Sequence, residues 1–158
     1  MVNGGLDLMA FIAFVMLVAG GYANVLNTSG AVVHLVNDTA AMMEGASLVV
    51  SAIVLLAIGL VITMGIGTSF GTIPVVAAIY VPLAQQLGFS KSAIILLIGI
   101  AAALGDAGSP ASDSTMGPTS GLNADGQHDH IMDTCVPTFI AFDVFLVIGG
   151  VIGSVLLS

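Results

Sequence analysis

Three apolar segments, residues 8–26, 48–66 and 136–157, each approach the roughly 20 residues that an α-helix needs to cross the hydrocarbon core of a bilayer. Within that core every backbone N–H and C=O must be paired, so a helix can be interrupted only where protein or a water-filled cavity covers the break. Chains of this kind fold as helix bundles, and a break at membrane depth marks a candidate site.

Composition removes the soluble alternative. Only 6% of the 158 residues are charged, against roughly a quarter in an ordinary soluble domain. Hydrophobic residues make up 58% and the mean hydropathy is +1.16, more apolar surface than a core of this size can hide from water. The chain is therefore expected to be an all-α, multi-pass integral membrane protein in contact with the lipid bilayer. One Lys against nine acids leaves a net charge of −8 and no basic patch, which excludes nucleic acid as a partner. Cys135 is the single cysteine; it cannot form an internal disulfide and reads as a small buried apolar side chain. The opening MVNGGLD carries Asp7 and no basic residue, so it lacks the positive region of a secretory signal, and the first apolar segment is expected to stay in the mature chain. The eight Met read as gap-filling or lipid-facing residues, with no cofactor signature and no enzyme motif beside them.

Two further apolar stretches, 73–87 and 93–104, are shorter and bounded by Gly, Pro, Ser and Thr. They read as half-helices or a re-entrant hairpin, flanked by breaks at 65–74 and 105–115. A third polar patch, 27–30 through 37–39, encloses 31–36 as a short re-entrant or interfacial element. Residues 121–130 are the most hydrophilic stretch and read as an exposed loop. Lys91 alone enters the positive-inside count and favours a cytoplasmic turn at 85–92. No linker or second soluble domain is visible, so 1–158 reads as one membrane unit of three full spans plus broken helices.

The second break gathers Asp106, Ser109, Ser112, Asp113, Ser114 and Thr115. An unwound membrane segment offers carbonyls, hydroxyls and carboxylates, the hard-oxygen environment of a dehydrated Na+. An ionised Asp buried without a partner costs several kcal/mol, so such a carboxylate takes a proton when its cation leaves and yields it when the cation returns. Asp113 and Asp106 are thus candidate Na+ ligands. Their alternative role is helix capping, which Asp and Ser perform well, with Pro110 suited to a turn. Thr68, Ser69 and Thr72 in the first break offer an ion or substrate cradle, or else close helix packing through small residues. Asp143, inside the last span, is a functional candidate because an ionisable group there is costly. Asp38 and Glu44 read as interfacial, and His34 as a hydrogen-bonded packing residue. His128-Asp129-His130 lacks a third convincing metal ligand and reads as part of a solvated loop.

The run Gly67-Thr68-Ser69-Phe70-Gly71-Thr72, then Gly105-Asp106-Ala107-Gly108-Ser109-Pro110-Ala111-Ser112-Asp113-Ser114-Thr115, then His128 to His130 and Thr134 to Pro137, resembles the C-terminal part of NhaC-type Na+/H+ antiporters of the ion transporter superfamily. Phe70 stands where that family usually has Trp, Ala111 where it has Ile, and Ser114 where it has Thr; the hydroxyls and carboxylates are kept. The resemblance implies secondary active transport in a bacterial-type inner (plasma) membrane, Asp113 and its neighbouring hydroxyls near the ion site, and Na+ and H+ as the transported ions. It also implies a chain holding one of two inverted repeats, the C-terminal fragment of a longer carrier, completed by a missing repeat or by a homo-oligomer. The leading expectation is Na+/H+ exchange; the alternative is a Na+- or H+-coupled carrier of an organic solute, and a non-transporting membrane subunit is a third class.

Overall fold

The computed structural model describes the backbone of residues 2–158 and, within the first helix, the side chains of residues 10, 13, 14, 17–26 and 28; the Asp7 side chain lies outside them. Helices α1 (Val2–Thr28), α2 (Ala31–Met42), α3 (Leu48–Ile66), α4 (Ser69–Gln86), α5 (Lys91–Leu104), α6 (Asp113–Leu122) and α7 (Val136–Leu156) follow one another, with a π-helical segment, His130–Cys135, leading into α7. Local chemistry sets their ends. Ser47 and Ser90 cap α3 and α5, accepting from Val50 N at 3.4 Å and Ala93 N at 3.2 Å. Gly67, at φ +76°, closes α3 in the left-handed conformation that its missing Cβ permits, and its N–H bonds to the Thr63 carbonyl.

The second apolar segment coincides with α3, the last with α7 to within a residue, and the first lies inside α1. Among the described residues, α3 and the continuous helix His130–Leu156 are long and apolar enough to cross a membrane. Three expectations are corrected. The first break is not ten residues but the pair Gly67-Thr68, after which α4 runs unbroken from Ser69 through Pro74 and Pro82. Each proline forfeits one helical hydrogen bond, a loss that packed neighbouring helices tolerate. The polar residues Asn37, Asp38 and Thr39 do not bound a short element but lie within α2, which buries Val32 and Val36, four apart on one face. His34 is exposed on α2 instead of packed. Helix α5, by contrast, has 14 residues and keeps the short length expected of it.

The core sits where α5 packs on α3, α4 and α7. Leu55, Leu56, Val76, Tyr80, Leu97 and Leu104 are fully buried there. Small residues let backbones meet: a Cβ at Gly105 would lie 2.4 Å from Met64 N, so the end of α5 rests directly on the α3 main chain. Thr63 Oγ1 sits at that contact, 2.7 Å from the Ala101 carbonyl and 2.8 Å from the Gly59 carbonyl, both acceptors of its proton. The Tyr80 hydroxyl donates to the Leu55 carbonyl. Around this core the outward faces are apolar, with Leu17, Val61, Ile95 and Phe145 exposed, as suits a surface solvated by lipid.

Candidate ion site

Helix α5 ends at Leu104, leaving its last carbonyls without intrahelical partners. Three of them are taken up locally. Ala101 O accepts from Thr63 Oγ1, Ala102 O from Ser69 Oγ at 3.1 Å, and Ala103 O from the N–H groups of Asp106 and Ala107. The chain then turns through residues 105–112. Gly108 makes the turn possible: its φ is +112°, and a Cβ there would stand 2.7 Å from Phe139 Cβ and 2.8 Å from Phe139 N, so the turn is pressed against the first residues of α7.

Asp106 is the hub of this turn. Ser69 Oγ, from the first residue of α4, donates to Asp106 Oδ2. Ser112 Oγ, the N-cap of α6, donates to Asp106 Oδ1 at 2.5 Å, and Ser114 Oγ donates to the Asp106 carbonyl at 2.9 Å. Ser112 and Ser114 Oγ lie 2.9 Å apart. The carboxylate therefore faces two helix N-termini, where the helix dipole is positive, and the Ala102 carbonyl near the end of α5 shares the Ser69 hydroxyl with it. Ser69 Oγ has one proton and two acceptors, Asp106 Oδ2 and Ala102 O. The set of oxygens is richer in lone pairs than in protons. A monovalent cation entering it would take up that excess, the hydroxyls turning their protons outward.

The remaining residues singled out from the sequence divide by role. Thr115 Oγ1 is buried and donates toward the carbonyls of Ser109, at 2.5 Å, and Ser112, at 3.0 Å, so it ties the turn together. Ser109 is fully buried and its Oγ accepts from Ala111 N at 3.4 Å. Thr72 Oγ1 bonds back to the Thr68 carbonyl at 2.8 Å within α4, and Thr68 is the N-cap residue of that helix without a side-chain capping bond. Asp113 is exposed in the first turn of α6, one residue beyond its cap. Asp143 is buried in α7, and neither carboxylate oxygen has a hydrogen-bond partner. It shares a helical face with Phe139, one turn away, which abuts Gly108.

The stretch expected to be a solvated loop needs correction in its second half. Residues 120–127 are exposed, but His128 and His130 are partly buried and held by side chains from other segments. His130 Nδ1 is 2.7 Å from Thr119 Oγ1 and its Nε2 is 2.8 Å from the Pro110 carbonyl. His128 Nε2 is 2.6 Å from Thr134 Oγ1, which lies 3.0 Å from Thr119 Oγ1. Asp129 starts the π-helical segment by accepting from Ile131 N and Met132 N, while Asp133 Oδ2 accepts from Asp129 N in return. That reciprocal Asp129/Asp133 cap was readable in the sequence as two acceptors one turn apart. Cys135 is buried as expected, with its Sγ 3.5 Å from His130 Nε2.

The family model described as the Na+/H+ antiporter family matches residues 1–154. A Bacillus subtilis (strain 168) protein named "Putative amino acid transporter YuiF" is 60% identical over 157 residues, covering 99% of this chain and 35% of that protein. A Haemophilus influenzae protein named "Uncharacterized membrane protein" is 54% identical over 153 residues, covering 97% of this chain and 34% of the relative. A Vibrio parahaemolyticus membrane protein, VP2115, shows the same 54% identity over 153 residues. The chain thus spans about a third of the length of these relatives. No solved structure matches.

Proposed function

Since the chain belongs to the Na+/H+ antiporter family, a membrane transporter family and not an enzyme family, we propose that it is the ion-binding part of a multi-pass, NhaC-type carrier that exchanges Na+ for H+ across the inner membrane. The observation that carries this reading is the Asp106 hub, where one carboxylate accepts from Ser69 at the start of α4 and from Ser112 at the cap of α6, while Ser114 donates to the Asp106 main-chain carbonyl. Alternating occupancy follows from its chemistry. With Na+ present, the carboxylate, the serine oxygens and the Ala102 carbonyl ligate it. When Na+ leaves, a proton on the carboxylate replaces the lost charge.

The donor set argues for a monovalent ion. Among the described residues no three of His, Cys, Asp and Glu converge, so the oxygens around Asp106 are mostly neutral. A divalent cation would call for several carboxylates. Asp113, exposed beside Ser112, is assigned to the approach of the ion, and Asp143 to a second carboxylate on the α7 face. Helices α1, α3 and α7 are assigned as the full spans. Na+ and H+ are the cargo and no organic cofactor takes part. The remaining repeat of the carrier, or a second copy, supplies the surface against which this bundle rocks.

A second reading, a Na+- or H+-coupled carrier of an organic solute, is favoured by the name of the Bacillus relative. In it the same hub holds the coupling ion, and the first turn of α4, which lacks a side-chain cap, faces the solute carboxylate. Proton flux in everted vesicles carrying the complete protein separates the two. Loss of the pH gradient on adding Na+ alone supports exchange. A gradient that responds only when an amino acid is added with the cation supports the carrier.

A further inference from the structure

Four polar side chains between α6 and the π-helical segment form a continuous chain from the turn that carries Asp106 to the protein surface. Its inner end is His130, whose Nε2 lies 2.8 Å from the Pro110 carbonyl. A carbonyl only accepts, so Nε2 carries a proton. From His130 Nδ1 the contacts run to Thr119 Oγ1 at 2.7 Å, to Thr134 Oγ1 at 3.0 Å and to His128 Nε2 at 2.6 Å. The outer end is His128 Nδ1, 3.9 Å from the half-exposed Asp133 carboxylate.

The chain of contacts can run in two directions. If Thr119 donates to Thr134, its own proton is spent, so His130 Nδ1 must donate to Thr119 and His130 is an imidazolium. Thr134 then donates to His128 Nε2. If the chain runs the other way, His128 Nε2 donates to Thr134, Thr134 to Thr119 and Thr119 to His130 Nδ1; His128 is then neutral with Nδ1 bare, and becomes the imidazolium when Nδ1 carries a proton toward Asp133. The first has the Thr119-to-Thr134 direction that the structure shows; the second reverses that bond, and each hydroxyl gives up one proton and gains another as they interconvert. Only N–H and O–H bonds are exchanged, and total charge is unchanged.

We infer that His128 and His130, bridged by Thr119 and Thr134, are a proton-binding site that shares one proton between its two imidazoles, shifting it between His130 beside the Asp106 turn and His128 toward water. The inference rests on the reading of Asp106 as the cation site in one respect only, the direction of coupling. A cation at the Asp106 oxygens repels charge at His130 and drives the proton to His128 and out past Asp133; departure of the cation draws it back. Imidazole suits the task because it changes charge in the physiological range. The other ionisable groups around the relay are Asp129 and Asp133 on the π-helical segment, Cys135 against His130, Asp113 at the start of α6, Asp125 in the preceding loop and Asp106 in the turn itself. All but Cys135 are carboxylates.

The test uses the complete protein labelled with nitrogen-15 in histidine, with ring nitrogen shifts read across pH alongside proton-coupled transport. In the parent, His128 and His130 should share a common protonation step with ring shifts averaged between the neutral and charged forms. Thr119→Val, which keeps the shape and removes the hydroxyl, should split this into two separate steps and slow proton-coupled transport at least tenfold, while Thr119→Ser restores both. Thr134→Val should do the same from the other side. The inference is overturned if Thr119→Val leaves the two histidines titrating as in the parent. If instead Asp106→Asn keeps full Na+ affinity, the cation assignment fails while the shared histidine step remains, so the two ideas fail separately.

Discussion

Replacing Gly108 by Ala tests whether the Asp106 turn is held in place by its contact with α7. The added methyl would lie 2.7 Å from Phe139 Cβ and 2.8 Å from Phe139 Cα and N. A relaxed carbon contact is roughly 3.5–4.0 Å, so the turn and α7 must separate by about 0.7–1.3 Å. Two of the three obstructing atoms are main chain, and no rotamer change relieves them. Overpacking of this kind costs about 1–3 kcal/mol. The φ of +112° adds a further cost of about 1–3 kcal/mol for a residue with a Cβ. Together these predict a loss of about 2–6 kcal/mol, and a melting temperature lower by roughly 4–24 °C, taking 2–4 °C per kcal/mol. Because Gly108 is two residues from Asp106, the same movement should cost transport about a hundredfold. The assay is thermal unfolding of the complete protein in detergent, paired with cation-dependent flux in vesicles. Gly117→Ala is the control, since a Cβ there meets nothing within 4 Å. The reasoning is refuted if Gly108→Ala melts within about 2 °C of the parent and transports at its rate.

Other substitutions probe separate parts of the account. Thr63→Val removes the buried hydroxyl shared by the Ala101 and Gly59 carbonyls and should destabilise by about 1–2 kcal/mol in thermal unfolding, with Thr63→Ser recovering most of it. Asp143→Leu replaces a buried carboxylate that has no hydrogen-bond partner, so the melting temperature should rise, with a gain of about 1–3 kcal/mol. Transport by that variant should fall at least tenfold; a fully active variant contradicts the assignment of Asp143 as a working carboxylate. Ser112→Ala removes one hydroxyl from Asp106 Oδ1 and the cap of α6, and should raise the Na+ concentration for half-maximal flux several-fold while leaving the maximal rate within about twofold.

Much of the architecture was legible because membrane spans are written in long apolar runs. The limits of α3 could be read residue by residue, since Ser47 caps one end and Gly67 closes the other. The extent of the breaks was less legible. A run of Gly, Ser and Thr from 65 to 74 looks unwound throughout, yet only Gly67 takes a positive φ there, and hydrophobic contact carries α4 through two prolines. The position of the second break was readable, but the ranking of its two acids was not. Spacing places Asp106 and Asp113 in one segment; it does not show that Ser112 caps α6, which puts Asp113 in an exposed first turn and turns the serine hydroxyls to Asp106. The histidine chain was missed for a related reason. His130 reaches Thr119 and Pro110, 11 and 20 residues back, and such partners converge only once α6 and the π-helical segment are packed together.

The central claim, that Asp106 is the carboxylate on which Na+ and H+ alternate, is tested most directly by radioactive sodium binding to the purified complete protein across pH, comparing the parent with Asp106→Asn and Asp113→Asn. The account predicts that bound sodium falls as pH is lowered in the parent and in Asp113→Asn, and that Asp106→Asn binds at least a hundredfold more weakly with no remaining pH dependence. Sodium binding by Asp106→Asn at parental affinity, with the parental pH dependence, would contradict it.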